Sequence, residues 1–268
     1  EMAVQAGAGT PRTTFLRMEG GGVEVDGHGT AIVTESCILN ANRNPGVSKV
    51  EAEAELKRLL GLRKVIWLPG IAGVEITDGH VDFYARFAAP GVVVAALDND
   101  PDSFDYQVTR DHLSILQSAT DADGRLLEVI PLPGPSYARI RRRDEDDMAA
   151  GYVNYYVGNG FVLVPEFGDE EADGYAANLL AELYPGRTIE VLNIDNIAAG
   201  GGGIHCATMQ QPASSVALTP GEDIQTVLSR EGVGTLSSAA VAMRGVLRGR
   251  LGRWAVALLA TAAAAMPL

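Results

Sequence analysis

Cysteine is scarce in this chain of 268 residues, which contains only Cys37 and Cys206. Two cysteines cannot form the disulfide framework of a small secreted domain, and neither has a spacing from histidine that is typical of a metal site. We therefore expect a reducing compartment, the cytoplasm, and no bound metal.

Basic side chains are also few, since 21 Lys and Arg face 34 Asp and Glu and leave a formal net charge of −13. A nucleic-acid-binding surface needs a basic footprint, so this class of protein is not expected. This excess of negative charge suits a cationic small-molecule partner.

Long apolar runs are missing as well. The stretch Trp254–Met266 is thirteen residues, short of the roughly 20 that a membrane-spanning helix needs. No secretory signal is visible at the N-terminus. Residues 214–268 are rich in Ala, Ser and Gly, and we expect them to form a C-terminal tail that is unrelated to the rest or disordered.

What the sequence does contain is a repeated pattern. Each repeat predicts two short strands, a helix and another strand, with Val23–Thr34, Ser48–Gly61 and Lys64–Leu68 in the first, Val81–Ala96, Asp105–Thr120 and Leu126–Pro131 in the second, and Tyr152–Pro165, Glu171–Tyr184 and Thr188–Asn193 in the third. A fourth repeat begins at Ile204. The fold class is therefore α/β, built from similar units.

Polar or reactive side chains stand near the start of each repeat: Glu19, His80, Asp82, Asn154 and Cys206. If the repeats are arranged around a common axis, their equivalent corners meet at its centre. We therefore expect two carboxylates, an imidazole, an amide and a thiol to converge.

These groups together predict the chemistry of a guanidine site. Cys206 is a candidate nucleophile and His80 a candidate acid and base near neutral pH. Carboxylates such as Glu19 and Asp82 suit a planar guanidinium, and a bound cation would lower the pKa of the thiol. A strand is predicted to place His80 and Asp82 on one face.

The run Gly200–Gly203 lets the backbone approach other groups closely and would deliver Cys206 into a crowded centre. Less specific interpretations stay open. Cys37 is predicted to be a buried apolar residue, and His80 with Asp82 could form a surface hydrogen-bonded pair. A Cys-His peptidase is a further alternative, which the carboxylates around His80 disfavour.

Six motifs resemble agmatine deiminases and, more broadly, the bacterial-type peptidylarginine deiminase family. They are Met18-Glu19-Gly20-Gly21, Val25-Asp26-Gly27, Asn42-Arg43-Asn44-Pro45, Thr77-Asp78-Gly79-His80-Val81-Asp82, Tyr152-Val153-Asn154-Tyr155-Tyr156 and Gly200–Gly203-Ile204-His205-Cys206. The resemblance covers about residues 12–213 and implies a five-bladed pseudo-symmetric β/α propeller. It implies a catalytic domain over residues 1–213.

By this resemblance, Cys206 attacks the guanidinium carbon and His80 protonates the departing ammonia. Glu19 and Asp82 hold the guanidinium and orient His80, while Asn154, Gly202 and Gly203 line the same centre. Agmatine would give N-carbamoylputrescine on a route to putrescine, without a metal or organic cofactor. Arginine and peptidyl-arginine are alternative substrates, and an oligomer is compatible with the sequence.

The sequence departs from the family pattern in its N-terminal module, whose Arg-Asp motif has no counterpart here. Three full repeats and the start of a fourth are present, so we expect an incomplete propeller. A non-catalytic remnant that binds cationic ligands is therefore a second hypothesis.

Overall fold

Each of the three complete repeats folds into a module with one three-stranded sheet and one long helix. The structure, a computed structural model, describes residues 13–142 and 148–210. Within them, Thr13–Met209 form one compact unit.

The three modules follow one another along the chain. The first contains β1 (Val23–Val25), β2 (Thr30–Thr34), the short helix α1 (Glu35–Ile38), α2 (Lys49–Leu60) and β3 (Lys64–Leu68). The second contains β4 (Ala85–Ala89), β5 (Val92–Leu97), α3 (Asp105–Ser118) and β6 (Glu128–Pro133). The third contains β7 (Tyr156–Gly158), β8 (Phe161–Glu166), α4 (Glu170–Leu183) and β9 (Thr188–Asn193), with the short helix α5 (Asp195–Ala198) after it.

The sheets share one topology. The first two strands of each module form an antiparallel hairpin, and the helix then crosses over to a third strand that pairs in parallel with the second. In the first module Val23 pairs with Val33, and Thr30 pairs with Lys64. The predicted α/β class and its repeat are therefore confirmed for the described residues.

Local chemistry explains why α2 begins and ends where it does. The Ser48 side chain accepts a hydrogen bond from the Glu51 N–H, and the Glu51 carboxylate accepts one from the Ser48 N–H. This capping box satisfies two backbone donors that the first helical turn leaves free. Gly61 ends the helix in the left-handed region at φ 69°, where glycine has no Cβ to clash.

A turn of 3₁₀ helix precedes the first strand of each module, at Gly20–Gly22, Val81–Phe83 and Tyr152–Asn154. The second turn contacts both of the others. The prediction of a strand through His80 and Asp82 is wrong: His80 caps the Val81–Phe83 turn, which contains Asp82. The two side chains therefore owe their proximity to a tight turn at the module corner.

The start of the predicted fourth repeat is also a turn, at residues 204–207. A strand pair after it, and the predicted tail at 214–268, lie outside the described residues. No helix in the described part of the chain is long and apolar enough to cross a membrane.

Apolar clusters join the modules to one another. One cluster combines Ile32 and Ile66 of the first module with Val93 and Leu116 of the second. Another combines Val94 and Leu132 of the second module with side chains of the third. Burying apolar surface between neighbouring sheets fixes the corners of the modules against each other.

Candidate active site

Asp82 lies at the centre of the converging corners and is fully buried. Its Oδ2 atom is 2.7 Å from Nδ1 of His205 and accepts a hydrogen bond from the Cys206 thiol at 3.5 Å. Its Oδ1 atom has no hydrogen-bond partner within the described ranges. A buried acceptor left in this state costs about 1–3 kcal/mol, so Oδ1 is ready to accept from a bound donor.

Asn154, also fully buried, holds the turn that carries Cys206. Its Oδ1 accepts hydrogen bonds from the backbone N–H groups of His205 at 2.8 Å and Cys206 at 3.4 Å. Its Nδ2 donates to the sulfur of Cys206 and to the backbone carbonyl of Asp82, each at 3.4 Å. The amide thus ties the corner of the third module to both the thiol and the carboxylate.

Glu19 and His80 form a second hydrogen-bonded group of the candidate active site. Oε2 of Glu19 is 3.0 Å from Nε2 of His80 and accepts from Nε of Arg43 at 2.8 Å. Arg43 also donates to Asp78 at 3.2 Å and to the Thr77 carbonyl at 2.9 Å. Partial burial raises the pKa of Glu19, but hydrogen bonds from His80 and Arg43 outweigh it, so this pKa is lowered.

Gly21 lies over His80 and Asp82, where there is no room for a side chain. A Cβ at this position would be 2.6 Å from Nδ1 of His80 and 2.7 Å from Oδ2 of Asp82. The imidazole and the carboxylate are therefore close neighbours beneath one glycine. At the opposite corner, a Cβ on Gly203 would overlap the side chain of Asn154, whereas one on Gly202 would be 3.6 Å from Cβ of Cys206.

Cys206 is exposed, yet protein surrounds its sulfur on the side of Asp82 and Asn154. Burial, followed by the negative charge of Asp82, raises the pKa of this thiol to about 11. The thiol is therefore protonated at neutral pH until a positive charge offsets Asp82.

A buried ion pair lies close to Asp82. Nε of Arg86 donates to Glu24 at 2.8 Å, and Nη1 of Arg86 donates to the Tyr155 carbonyl, also at 2.8 Å. Both side chains are at least 90% buried. Burial lowers the pKa of Arg86, but the charge of Glu24 and, less strongly, that of Asp82 outweigh it, so this pKa is raised and the guanidinium lies within electrostatic reach of the site.

A cavity of about 370 Å³ opens beside His80. Glycines of both corners, Gly79 and Gly201, contribute to its wall, whereas Cys206 and Asp82 are not among its described lining residues. Five of the described lining residues are acidic and none is Lys or Arg; the acidic ones are Glu75, Asp98, Asp100, Asp102 and Asp105. Burial raises the pKa of Asp105 to about 6.

The structure brings the predicted residues Glu19, His80, Asp82, Asn154 and Cys206 into one contiguous network. Arg43 and His205 lie within the six sequence motifs, but no role was predicted for them. The one signal that could have found them is adjacency: His205 precedes the candidate nucleophile, and Arg43 lies between two asparagines in a turn-forming run. Nothing in the local pattern of Glu24 or Arg86 indicates their pairing.

Comparison with known proteins agrees with this arrangement. Residues 2–212 match the Porphyromonas-type peptidyl-arginine deiminase family. The chain belongs to this family. It is 43% identical over 215 residues to the agmatine deiminase of Medicago truncatula, covering 73% of this chain and 57% of that protein. It is 44% identical over 198 residues to a putative agmatine deiminase of Streptomyces coelicolor, covering 72% and 58%.

Solved structures of family members have the same architecture. Agmatine deiminase of Enterococcus faecalis superimposes with a TM-score of 0.69 at 36% identity, covering 75% of this chain and 59% of that one. A substrate-bound C315S agmatine deiminase of C. jejuni gives 0.62 at 26% identity, covering 70% and 54%. The chain thus spans less than two thirds of the relatives and structures it matches here.

Proposed function

We propose that this chain carries the reactive centre of an agmatine deiminase, which converts agmatine and water to N-carbamoylputrescine and ammonia. The observation that carries the proposal is the unpartnered Oδ1 of Asp82, buried next to the Cys206 thiol. A guanidinium N–H would satisfy this oxygen and bring the guanidinium carbon to the sulfur. Agmatine deiminases are also the relatives at about 40% identity.

In the proposed reaction the substrate itself activates the thiol. Its positive charge offsets Asp82 and lowers the pKa of Cys206, so the thiol loses its proton to solvent and becomes the thiolate. The sulfur then bonds to the guanidinium carbon, the C–N bond breaks, and His80 gives its proton to the departing ammonia. Water deprotonated by His80 attacks the resulting thiouronium, and the C–S bond breaks to release the ureido product and the thiol.

The other side chains position these groups. Both oxygens of Glu19 already accept from Arg43, and Oε2 contacts His80. We therefore assign Glu19 to orienting His80 and Asp82 to holding the guanidinium. His205 fixes Oδ2 of Asp82, and Asn154 fixes the Cys206 turn. Gly202 and Gly203 allow that turn to approach the substrate.

The acidic cavity favours agmatine over arginine. Agmatine carries an amine at the end opposite its guanidinium, and acidic walls attract this charge. Free arginine carries a carboxylate there, which the same acidic side chains would repel. The reaction would belong to putrescine biosynthesis in the cytoplasm, where thiols stay reduced.

We extend the proposal to the architecture. The three modules would be blades of a five-bladed β/α propeller, because their corners meet as blades do around an axis. A structure that includes the N-terminal Arg-Asp module of the family would show whether the ring closes.

Turnover of three substrates tests the function. The chain, and a version extended to the length of its family relatives, are assayed for ammonia and ureido product with agmatine, arginine and a blocked arginine peptide. We expect agmatine to react fastest and Cys206→Ala to abolish turnover. Full activity of Cys206→Ala, or an extended version inactive on every guanidine, would contradict the proposal.

The raised pKa of the Cys206 thiol, about 11, favours one second candidate, a protein that binds cations without reacting. Calorimetry that detects agmatine binding by a chain without turnover would favour it. Cleavage of peptide amides would instead indicate a Cys-His peptidase.

A further inference from the structure

The second cysteine, Cys37, lies against the candidate active site. It belongs to α1 and is fully buried, as the sequence predicted, but it is not among apolar groups alone. One ligand atom from each of Glu19, Cys37 and His80 lies within 4.8 Å of the other two. The sequence spacing of these residues is unlike that of known metal motifs, which is why it predicted no metal site.

Thiolate, imidazole and carboxylate are the three side-chain groups that bind zinc in proteins. Zinc bonds of about 2.0–2.3 Å place tetrahedral ligands roughly 3.3–3.8 Å apart. Nε2 of His80 and Oε2 of Glu19 are already 3.0 Å apart. The ligand atoms, at most 4.8 Å apart, therefore need to approach one another by no more than about 1 Å to bind one metal ion.

The surroundings of the triangle suit a cation that enters from one side. The Glu19 side chain is 52% exposed and the His80 side chain 7%, so a carboxylate lies at the mouth and a buried thiol at the floor. Arg43 donates to both Glu19 oxygens and would orient this ligand from outside, as outer-shell partners do in metal sites. Burial raises the pKa of Cys37 to about 12; Arg43 lowers it, whereas Glu19, Asp78 and Glu75 raise it further, so the acidic groups near the thiol outnumber the basic one.

We propose that Glu19, Cys37 and His80 form an inhibitory site for a thiophilic divalent cation such as Zn²⁺, with water as the fourth ligand. The metal displaces the thiol proton of Cys37, which passes to solvent. While the metal is bound, His80 coordinates it and cannot transfer protons. The site itself rests only on the three side chains, whereas the inhibition rests on the proposed deiminase function.

Cobalt is the probe, because Co²⁺ bound to a thiolate gives a charge-transfer absorption. The full chain is titrated with Co²⁺ without oxygen, beside Cys206→Ala and Cys37→Ala. We expect a saturable thiolate band at one metal per chain, displaced by Zn²⁺, retained by Cys206→Ala and lost in Cys37→Ala. In a chain that turns over agmatine, Zn²⁺ inhibits and a chelator restores the rate.

A second variant guards against misfolding of Cys37→Ala. Glu19→Gln changes a half-exposed side chain and keeps the thiol and imidazole, so it should retain the band and bind cobalt at least about tenfold more weakly. The absence of a thiolate band at a large excess of Co²⁺ would overturn the site. So would a band lost in Cys206→Ala but kept in Cys37→Ala, which would place the metal on the nucleophile. Neither readout requires turnover, so this proposal can fail while the deiminase function stands.

Discussion

Replacing Gly21 by alanine tests whether the glycine turn sets the distance between the imidazole and the carboxylate. The new Cβ would be 2.6 Å from Nδ1 of His80, 2.7 Å from Oδ2 of Asp82 and 3.0 Å from Cγ of Asp82. Gly20 is the matched control, because it lies in the same 3₁₀ turn and a Cβ there has nothing within 4 Å.

The size of the effect follows from the required displacement. Ordinary contact begins at 3.4 Å, so His80 and Asp82 must each move by about 0.7–0.8 Å. Asp82 is fully buried and bonded to His205 at 2.7 Å, which leaves it little freedom. Misplacement by about 1 Å can cost roughly 10²-fold in rate, and overpacking costs about 1–3 kcal/mol in stability.

Agmatine hydrolysis and urea unfolding measure the two effects. We expect Gly21→Ala to lower kcat/KM about 10²-fold and the free energy of unfolding by about 1–3 kcal/mol. Gly20→Ala should change stability by no more than about 0.5 kcal/mol. The rate of Cys206 alkylation provides a readout independent of turnover. If both variants match the parent chain in kinetics and stability, the turn does not control the site.

Two further predictions concern charge. Below a pKa of about 11 the alkylation of Cys206 by iodoacetamide should rise roughly tenfold per pH unit, because only the thiolate reacts. Asp82→Asn removes a charge that raises this pKa, so mass spectrometry should show faster alkylation at pH 8; an unchanged rate would rule out this coupling. Glu24→Gln should lower the free energy of unfolding in urea by about 3–5 kcal/mol, because it leaves the charge of Arg86 buried and unpaired. Asp123→Asn, which breaks exposed pairs with Arg63 and Arg125, should lower it by at most about 1 kcal/mol, and equal losses for the two variants would contradict the burial argument.

The repeat could be predicted from the sequence because its signals are local. Ser48 with Glu51 starts α2, and Gly61 ends it, through chemistry within a few residues. The apolar runs that form the strands are likewise local features of the sequence. Once three copies of one pattern were recognised, their equivalent corners predicted which side chains would meet.

The remaining features depend on contacts that a local pattern does not contain. His205 and Asp82 are 123 positions apart, and their pairing exists only after the modules pack. Glu24 of β1 is buried because β4 of the next module brings Arg86 against it, a contact between strands that lie far apart in the sequence. The strand predicted through His80 became a turn because the module corner, not the residue pattern, sets the backbone there.

The apolar clusters that span neighbouring modules affect how the reactivity of the Cys206 thiol is lost when the protein unfolds. One cluster is shared by the first two modules and another by the second and third, so separating neighbouring sheets would expose apolar surface that stabilises both. A half-assembled but ordered and reactive species would then lose much of the burial that stabilises it. During denaturation, thiol reactivity and secondary structure should disappear together in one cooperative step.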